Sequence, residues 1–240
     1  MTCTLTIVRY PKWMGWAGFL SMAVFRLPLW TSKQNSFWKL MGCGKNGTFD
    51  KTPDWRQWAL LEVRSLESGV GSKKTTPDSQ RQTPDFLLLW WSVFGCEKWV
   101  LELEPIEGRG SWDGKQCFGD LPQQTAYEGI IGVLTRATIR VNKLGAFWKN
   151  VDAVAQQMAG ADGFVTSLGI GEIPWIKQAT FSIWESRAQM KQFAYQMHHH
   201  TEVIRKTRKE NWYSEEMFVR FRILSSRGTL HAKDPLKRKL

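Results

Sequence analysis

Apolar and polar positions fall into blocks along this chain, and the blocks read twice. TLTIVRY (4–10) alternates and is rich in β-branched side chains, which predicts a strand. GWAGFLSMAVFR (15–26) has helical spacing. FWKLMGCG (37–44) reads as a strand running into a glycine turn, and QWALLEVR (57–64) as a further strand. A polar stretch, SLESGVGSKKTTPDSQRQTPD, reads as loop. FLLLWWSVF (86–94) predicts a buried helix, with a strand as the alternative, and KWVLELEPIEG (98–108) alternates as a strand.

The second half runs the same way. GVLTRATIRV (132–141) is a strand, and KLGAFWKNVDAVAQQMAG (143–160) is an amphipathic helix closed by Gly160. GFVTSLGIGE (163–172) is a strand ending in a glycine turn, and IKQATFSIWE (176–185) is a strand. Residues 186 to about 212 form a long helix, and MFVRFRIL (217–224) is the last strand. Each half therefore reads β-α-β-β-α-β, the ferredoxin-like unit. A four-stranded antiparallel sheet with helices on one face leaves its other face bare, and two such sheets can cover each other by closing an eight-stranded barrel. The expected fold is α+β: duplicated ferredoxin-like units closing an α+β barrel within one chain. The expected boundaries are a first half at 1–105, a linker at 106–130, a second half at 131–226 and a frayed basic tail at 227–240.

Composition narrows the function. The 240 residues carry a net charge of +11, so the surface attracts anions. No RNP, zinc-finger or helix-turn-helix pattern accompanies that charge, so nucleic acid is not an expected partner. Four cysteines lie far apart without metal-ligand spacing and read as free thiols in a reducing compartment. No apolar run reaches the roughly 18 residues of a spanning helix, and Arg9 and Lys12 interrupt the apolar N-terminus. The expectation is a cytoplasmic protein, with peripheral membrane contact left open. Fourteen tryptophans suit either a Trp-rich core or the enclosure of a flat, apolar ligand.

Several blocks, in order, resemble one family: FWKLMGCG, GSWDGKQCF, VLTRATIR, GIGEIPWIKQATFSIWE, MKQFAY and HTEVIRKTRKENWYSEEMFVRF. The chain resembles the spheroidene monooxygenases from about residue 5 to residue 225. Two first-half stretches, SKQNS and GCGKNGTF, depart from the family pattern and bear on substrate identity more than on cofactor binding. The resemblance implies a dimeric α+β barrel fold, shared with chlorite dismutases and dye-decolorising peroxidases. It also implies haem b with its iron, O2, a reduced ferredoxin as electron donor and a long apolar carotenoid as substrate. The alternatives are a haem enzyme of different chemistry, a dehydratase or peroxidase on a smaller substrate, and a non-enzymatic haem-binding protein.

Three of the four histidines stand together at 198–200. On a helix through 186–212, Met190, Phe193, Met197, His200, Ile204 and Thr207 form one stripe facing the protein. His199 points to water and His198 lies at the stripe's margin. Adjacent helical residues diverge by about 100 degrees, so the run is not a zinc site by spacing. His200 is the candidate axial ligand of a haem iron, on its stripe and on the resemblance together; a core histidine bonded to a carbonyl is the plainer reading. Arg208, nearly on the same face, could meet a propionate, and Trp212 could pack on the porphyrin edge or staple the helix to the last strand. In TRATIRV, Arg136, Thr138 and Arg140 share a strand face; they meet propionates or bound oxygen, or face solvent as edge charges. In KQATFSIW, Gln178, Thr180 and Ser182 share a face, and Gln178 could hydrogen-bond bound dioxygen or simply face water.

Overall fold

The computed structural model describes residues 1–32, 35–45, 51–64, 83–199 and 211–236; of residues 150–154 and 196–199 it describes the backbone alone. The first half contains β1 (Thr2–Arg9), α1 (Gly15–Val24), α2 (Arg26–Thr31), β2 (Phe37–Gly44), β3 (Pro53–Arg64), α3 (Asp85–Val93) and β4 (Glu97–Gly110). The second contains β5 (Ile131–Ile139), α4 (Leu144–Ala159), β6 (Phe164–Ile173), β7 (Lys177–Trp184), α5 (Arg187–His199) and β8 (Tyr213–Gly228). The single helix expected at 15–26 is two. Pro28 has no N–H to give the carbonyl of Val24, and the helix breaks at Phe25.

The eight strands close a barrel in the order β1-β3-β2-β6-β7-β5-β8-β4, with β4 returning to β1. Each half is thus an antiparallel sheet ordered 4-1-3-2, and the halves join through equivalent strands, as the duplicated unit requires. The two joints differ. β4 and β8 pair from Trp99↔Gly228 to Gly110↔Met217, whereas β2 and β6 pair only at Gly42↔Gly171 and Cys43↔Ile170. Alternation sends one side chain in two to the lumen, and the inner set is almost wholly apolar: Leu5, Ile7, Leu61, Leu101, Leu134, Phe181 and Phe221 belong to one buried cluster.

Each half ends in a small hairpin that stoppers one mouth of the barrel. After β4, RGSWDGKQCF (109–118) turns at Asp113 and Gly114, both at positive φ, and places Trp112 and Phe118 in the barrel core. After β8, RGTLHAKDPL (227–236) turns at His231 and Ala232, also at positive φ, and places Leu230 and Leu236 there. The entry glycines match too. Gly110 and Gly228 have φ of 89° and 84°, and a Cβ on either would strike a carbonyl oxygen of the neighbouring strand, Glu216 or Lys98, at 2.1 Å. A glutamate at the start of the facing strand holds each turn. Glu215 accepts from Ser111 Oγ (2.7 Å) and Gly114 N (2.8 Å), and Glu97 accepts from Thr229 Oγ1 (2.8 Å), His231 N (3.1 Å) and Ala232 N (2.6 Å). Residues 227–236 are therefore packed structure and not a frayed tail; their apolar side chains are too few and too widely spaced to show a period.

Candidate functional site

The outer faces of the two sheets, which lie under the helices, differ in kind. Cross-strand rows of the first sheet read Lys98–Val8–Trp58–Gly42, Val100–Thr6–Leu60–Leu40 and Glu102–Thr4–Glu62–Trp38. Bulky side chains there meet α1 and α3 in one continuous apolar cluster that includes Tyr10, Phe25, Leu29, Leu87 and Trp91. Corresponding rows of the second sheet read Gly169–Thr180–Thr135–Phe218 and Gly171–Gln178–Ala137–Glu216, with Ser167–Ser182–Val133–Arg220 beside them. Apart from Phe218 and Val133 these side chains are small or polar, and they separate two apolar clusters that do not merge. One gathers Ile139, Phe147, Trp148 and Trp212 at one end of the floor; the other gathers Ile131, Met158, Trp184 and Met190 at the opposite end. α4 spans the floor between them, seated by Phe147 and Trp148 at its start and by Met158 near its close. α5 sets out from the Trp184 end, where Phe193 packs on Trp184 with ring centroids 5.2 Å apart.

A buried ionic cluster borders the floor on its β8 side. Glu107 pairs with Arg220 and, at 3.4 Å, with Arg187, whose other nitrogen reaches the exposed Glu128 at 3.5 Å. The Nε atoms of both arginines are buried with no hydrogen-bond partner among the described residues. Burial pushes the Arg220 guanidinium below its ordinary range. On the floor itself Thr180 Oγ1 is buried without a partner among the described residues, while Ser182 Oγ accepts from Trp184 Nε1 at 3.0 Å.

By the chemistry of its side chains, this arrangement suits a flat, largely apolar group bearing carboxylates. Small residues line the middle of the floor, aromatic clusters stand at both ends, Thr180 keeps a hydroxyl without a partner among the described residues, and Arg187 and Arg220 converge on Glu107, with Glu128 a second partner of Arg187. Haem, which the family resemblance implies, is such a group.

The residues singled out from sequence divide among three places. Gln178 lies on the floor, where its Nε2 donates to the Ile173 carbonyl at 3.1 Å beside the β2–β6 joint. Trp212 is buried in the aromatic cluster at the floor's end, where it ties α4 to the start of β8. Arg136 and Thr138 do share a face, but it is the inner one, and the sheet separates Arg136 from Gln178. The strand ends at Ile139, so Arg140 leaves that face and is exposed. His200 and Arg208 lie outside the described residues, and α5 is described up to His199. Sequence reading passed over Arg187, Arg220 and Glu107. The signal for Arg220 was present in MFVRFRIL: the arginine alternates with core residues, so it had to point toward the helix side.

Arg136 anchors a plug. Fully buried, it pairs with Glu215 and approaches Asp113 (3.4 Å) and Glu172 (3.6 Å). Lys39 joins Asp113 and Glu172 (2.6 Å to the latter), and Lys177 reaches Asp113 at 2.6 Å. Trp112 sits within this net, donating from Nε1 to Glu172 at 2.7 Å under the Arg136 guanidinium. Three cations and three carboxylates thus lock the first plug into its mouth of the barrel.

No family model matches the chain. Among curated proteins it is 35% identical over 222 residues to a spheroidene monooxygenase of Rhodobacter capsulatus, covering 91% of this chain and 88% of that one. It is 31% identical over 238 residues to a spheroidene monooxygenase of Cereibacter sphaeroides, covering 98% and 70%. Among solved structures, an aldoxime dehydratase in complex with butyraldoxime superposes with a TM-score of 0.58 at 8% identity, covering 92% of this chain and 79% of that one, a likeness of fold. The chain belongs to the spheroidene monooxygenase family.

Proposed function

We propose that the chain is a haem-dependent monooxygenase that oxidises a long, apolar, carotenoid-like substrate with O2 and electrons from a reduced ferredoxin-like donor. The reaction class and substrate follow the names of its relatives. The observation that carries the cofactor is the unequal outer faces: one sheet is filled to its helices by Trp58, Leu60 and Trp38, while the middle of the other carries Gly169, Gly171, Ala137, Thr135, Thr180 and Ser182, with Phe218 at its β8 side. Haem b, bound over the second floor, supplies the reductive activation of oxygen. His200, on the chain that continues α5, would ligate the haem iron. Arg187 and Arg220, with Arg208, would hold the propionates. Thr180 and Gln178 would be the floor's hydrogen-bond donors to O2, and the Trp148–Trp212 and Trp184–Phe193 clusters would keep water from the ends. The net charge of +11 suits docking of an acidic electron donor.

An absorption spectrum with haem quantitation tests the reading. About one haem per chain is expected, with His200→Ala losing it and His199→Ala retaining it. Joint replacement of Thr135 and Thr180 by leucine should fill the floor and abolish haem binding while the circular dichroism of the barrel is kept. Retention of the native Soret band in both the His200→Ala and the floor-filled proteins would end the proposal.

A further inference from the structure

The helix layer of the first half is apolar on its solvent side. On α1 and α2 the exposed apolar positions are Trp16, Phe19, Leu20, Ala23, Leu27 and Trp30, with Arg26 and Thr31 exposed beside them, and the apolar ones are spaced as one helical stripe that carries on across the break at Phe25. Trp13, just before α1, is 72% exposed and Trp30 is 79% exposed. α3 lies alongside: Trp16 meets Phe94 at 6.0 Å, and Phe25 meets Phe86 at 6.2 Å. α3 adds Leu89 and Val93, themselves 63% and 71% exposed. The surface is therefore one contiguous sheet of aromatic and aliphatic side chains, larger in character than the scattered apolar residues of an ordinary protein exterior.

Its charge is predominantly positive. Residues 1–49 contain six Lys or Arg and no Asp or Glu. Lys12 and Arg26 are exposed at the two ends of α1, while Asp85, in the first turn of α3, is the one acid on the three helices. Tryptophan beside exposed cations is the combination that settles at the boundary between headgroups and acyl chains. The indole ring places an apolar body in the acyl region and an N–H among the headgroups, and Lys and Arg meet lipid phosphate.

We propose that this face is a membrane-docking surface, which seats α1, α2 and α3 in the headgroup layer of an anionic bilayer. No helix among the described residues is long and apolar enough to cross a membrane, so the contact is peripheral. The surface lies on the first half, away from the floor of the second, and the inference does not rest on the cofactor.

The test is co-sedimentation of the full-length protein with vesicles of phosphatidylcholine containing about one-third phosphatidylglycerol, beside vesicles of phosphatidylcholine alone. Binding is expected to the anionic vesicles, weakened at about 0.5 M salt. Brominated lipid should quench part of the wild-type tryptophan emission, a readout that needs no substitution. Joint Trp13→Ser, Trp30→Ser and Leu89→Ser replacement, at exposed positions, should lower partitioning by at least about tenfold with an unchanged melting temperature. Absence of vesicle binding, equal binding by the substituted protein, or bromine quenching that the substitutions leave intact overturns the proposal. So does a stable dimer that the same substitutions dissociate in lipid-free solution, because the occupant of the face is then a second copy of the chain.

Discussion

Arg136 shows how much a single side chain's direction decides. The same residue one position along β5 would face the floor; at 136 it faces the lumen and is completed by Glu215, Asp113 and Glu172. Removing it strands those carboxylates. Arg136→Met should cost about 2–3 kcal/mol in urea unfolding, below the figure for a fully buried pair because Glu215 and Asp113 keep some solvent. Haem content per folded chain should not change, and a loss of haem would return Arg136 to the cofactor site. Acid tests the same net. Burial alone would raise Asp113 and Glu215, but Lys177 and Lys39 at the former, and Gly114, Ser111 and Arg136 at the latter, outweigh it and hold both down to about 2. Groups held below their ordinary values contribute stability above those values and lose it as pH falls through the folded ones. The melting temperature should therefore decline from about pH 4.5 toward about pH 2, and Glu215→Gln should flatten that decline. An unchanged acid limb in Glu215→Gln would remove the plug net as its cause.

Among the elements, those with a period were legible and those without were not. TLTIVRY, QWALLEVR and KQATFSIW alternate because one face meets the lumen and the other a helix, and both 4-1-3-2 sheets follow from that. FLLLWWSVF is a helix and not the alternative strand, yet only Leu87 and Trp91 are buried; apolar residues all round concealed which side meets water. The plugs escaped notice because two apolar residues six positions apart in a polar stretch make no pattern. Their repeat shows only when RGSWDGKQCF is set beside RGTLHAKDPL. Leu236 is a sensitive test, since it lies 1% exposed in the core although four residues from the C-terminus. Leu236→Ala should cost about 2–4 kcal/mol by denaturant titration. Truncation after Ser226 should cost more, because it also removes Leu230 and the pairing of Arg227 and Gly228 with β4. A truncated chain that melts at the native temperature would make the plug a passenger. At the site, alternation revealed which strand residues share a face, but not which face carries the helices. That direction comes from barrel closure, which joins strands from opposite ends of the chain.

At the scale of the whole molecule the two halves share a plan and have parted in use: one turns its aromatic residues outward, and the other clears its sheet beneath the helices. They also share one weak joint. β2 and β6 are tied by two residue pairs, and beyond those the bridging falls to side chains, Lys39 to Glu172 and Trp175 Nε1 to the Lys51 carbonyl at 3.3 Å. Cys43 lies within this seam, 3% exposed, its thiol pushed up to about 12 by burial. Such a thiol is inert while the seam is shut, so its alkylation becomes a clock for barrel breathing. Labelling at Cys43 should run ahead of labelling at Cys3, which sits between the fully paired β3 and β4, and Lys39→Met should quicken the Cys43 clock alone. Equal rates at the two thiols would mean that the barrel opens as a whole.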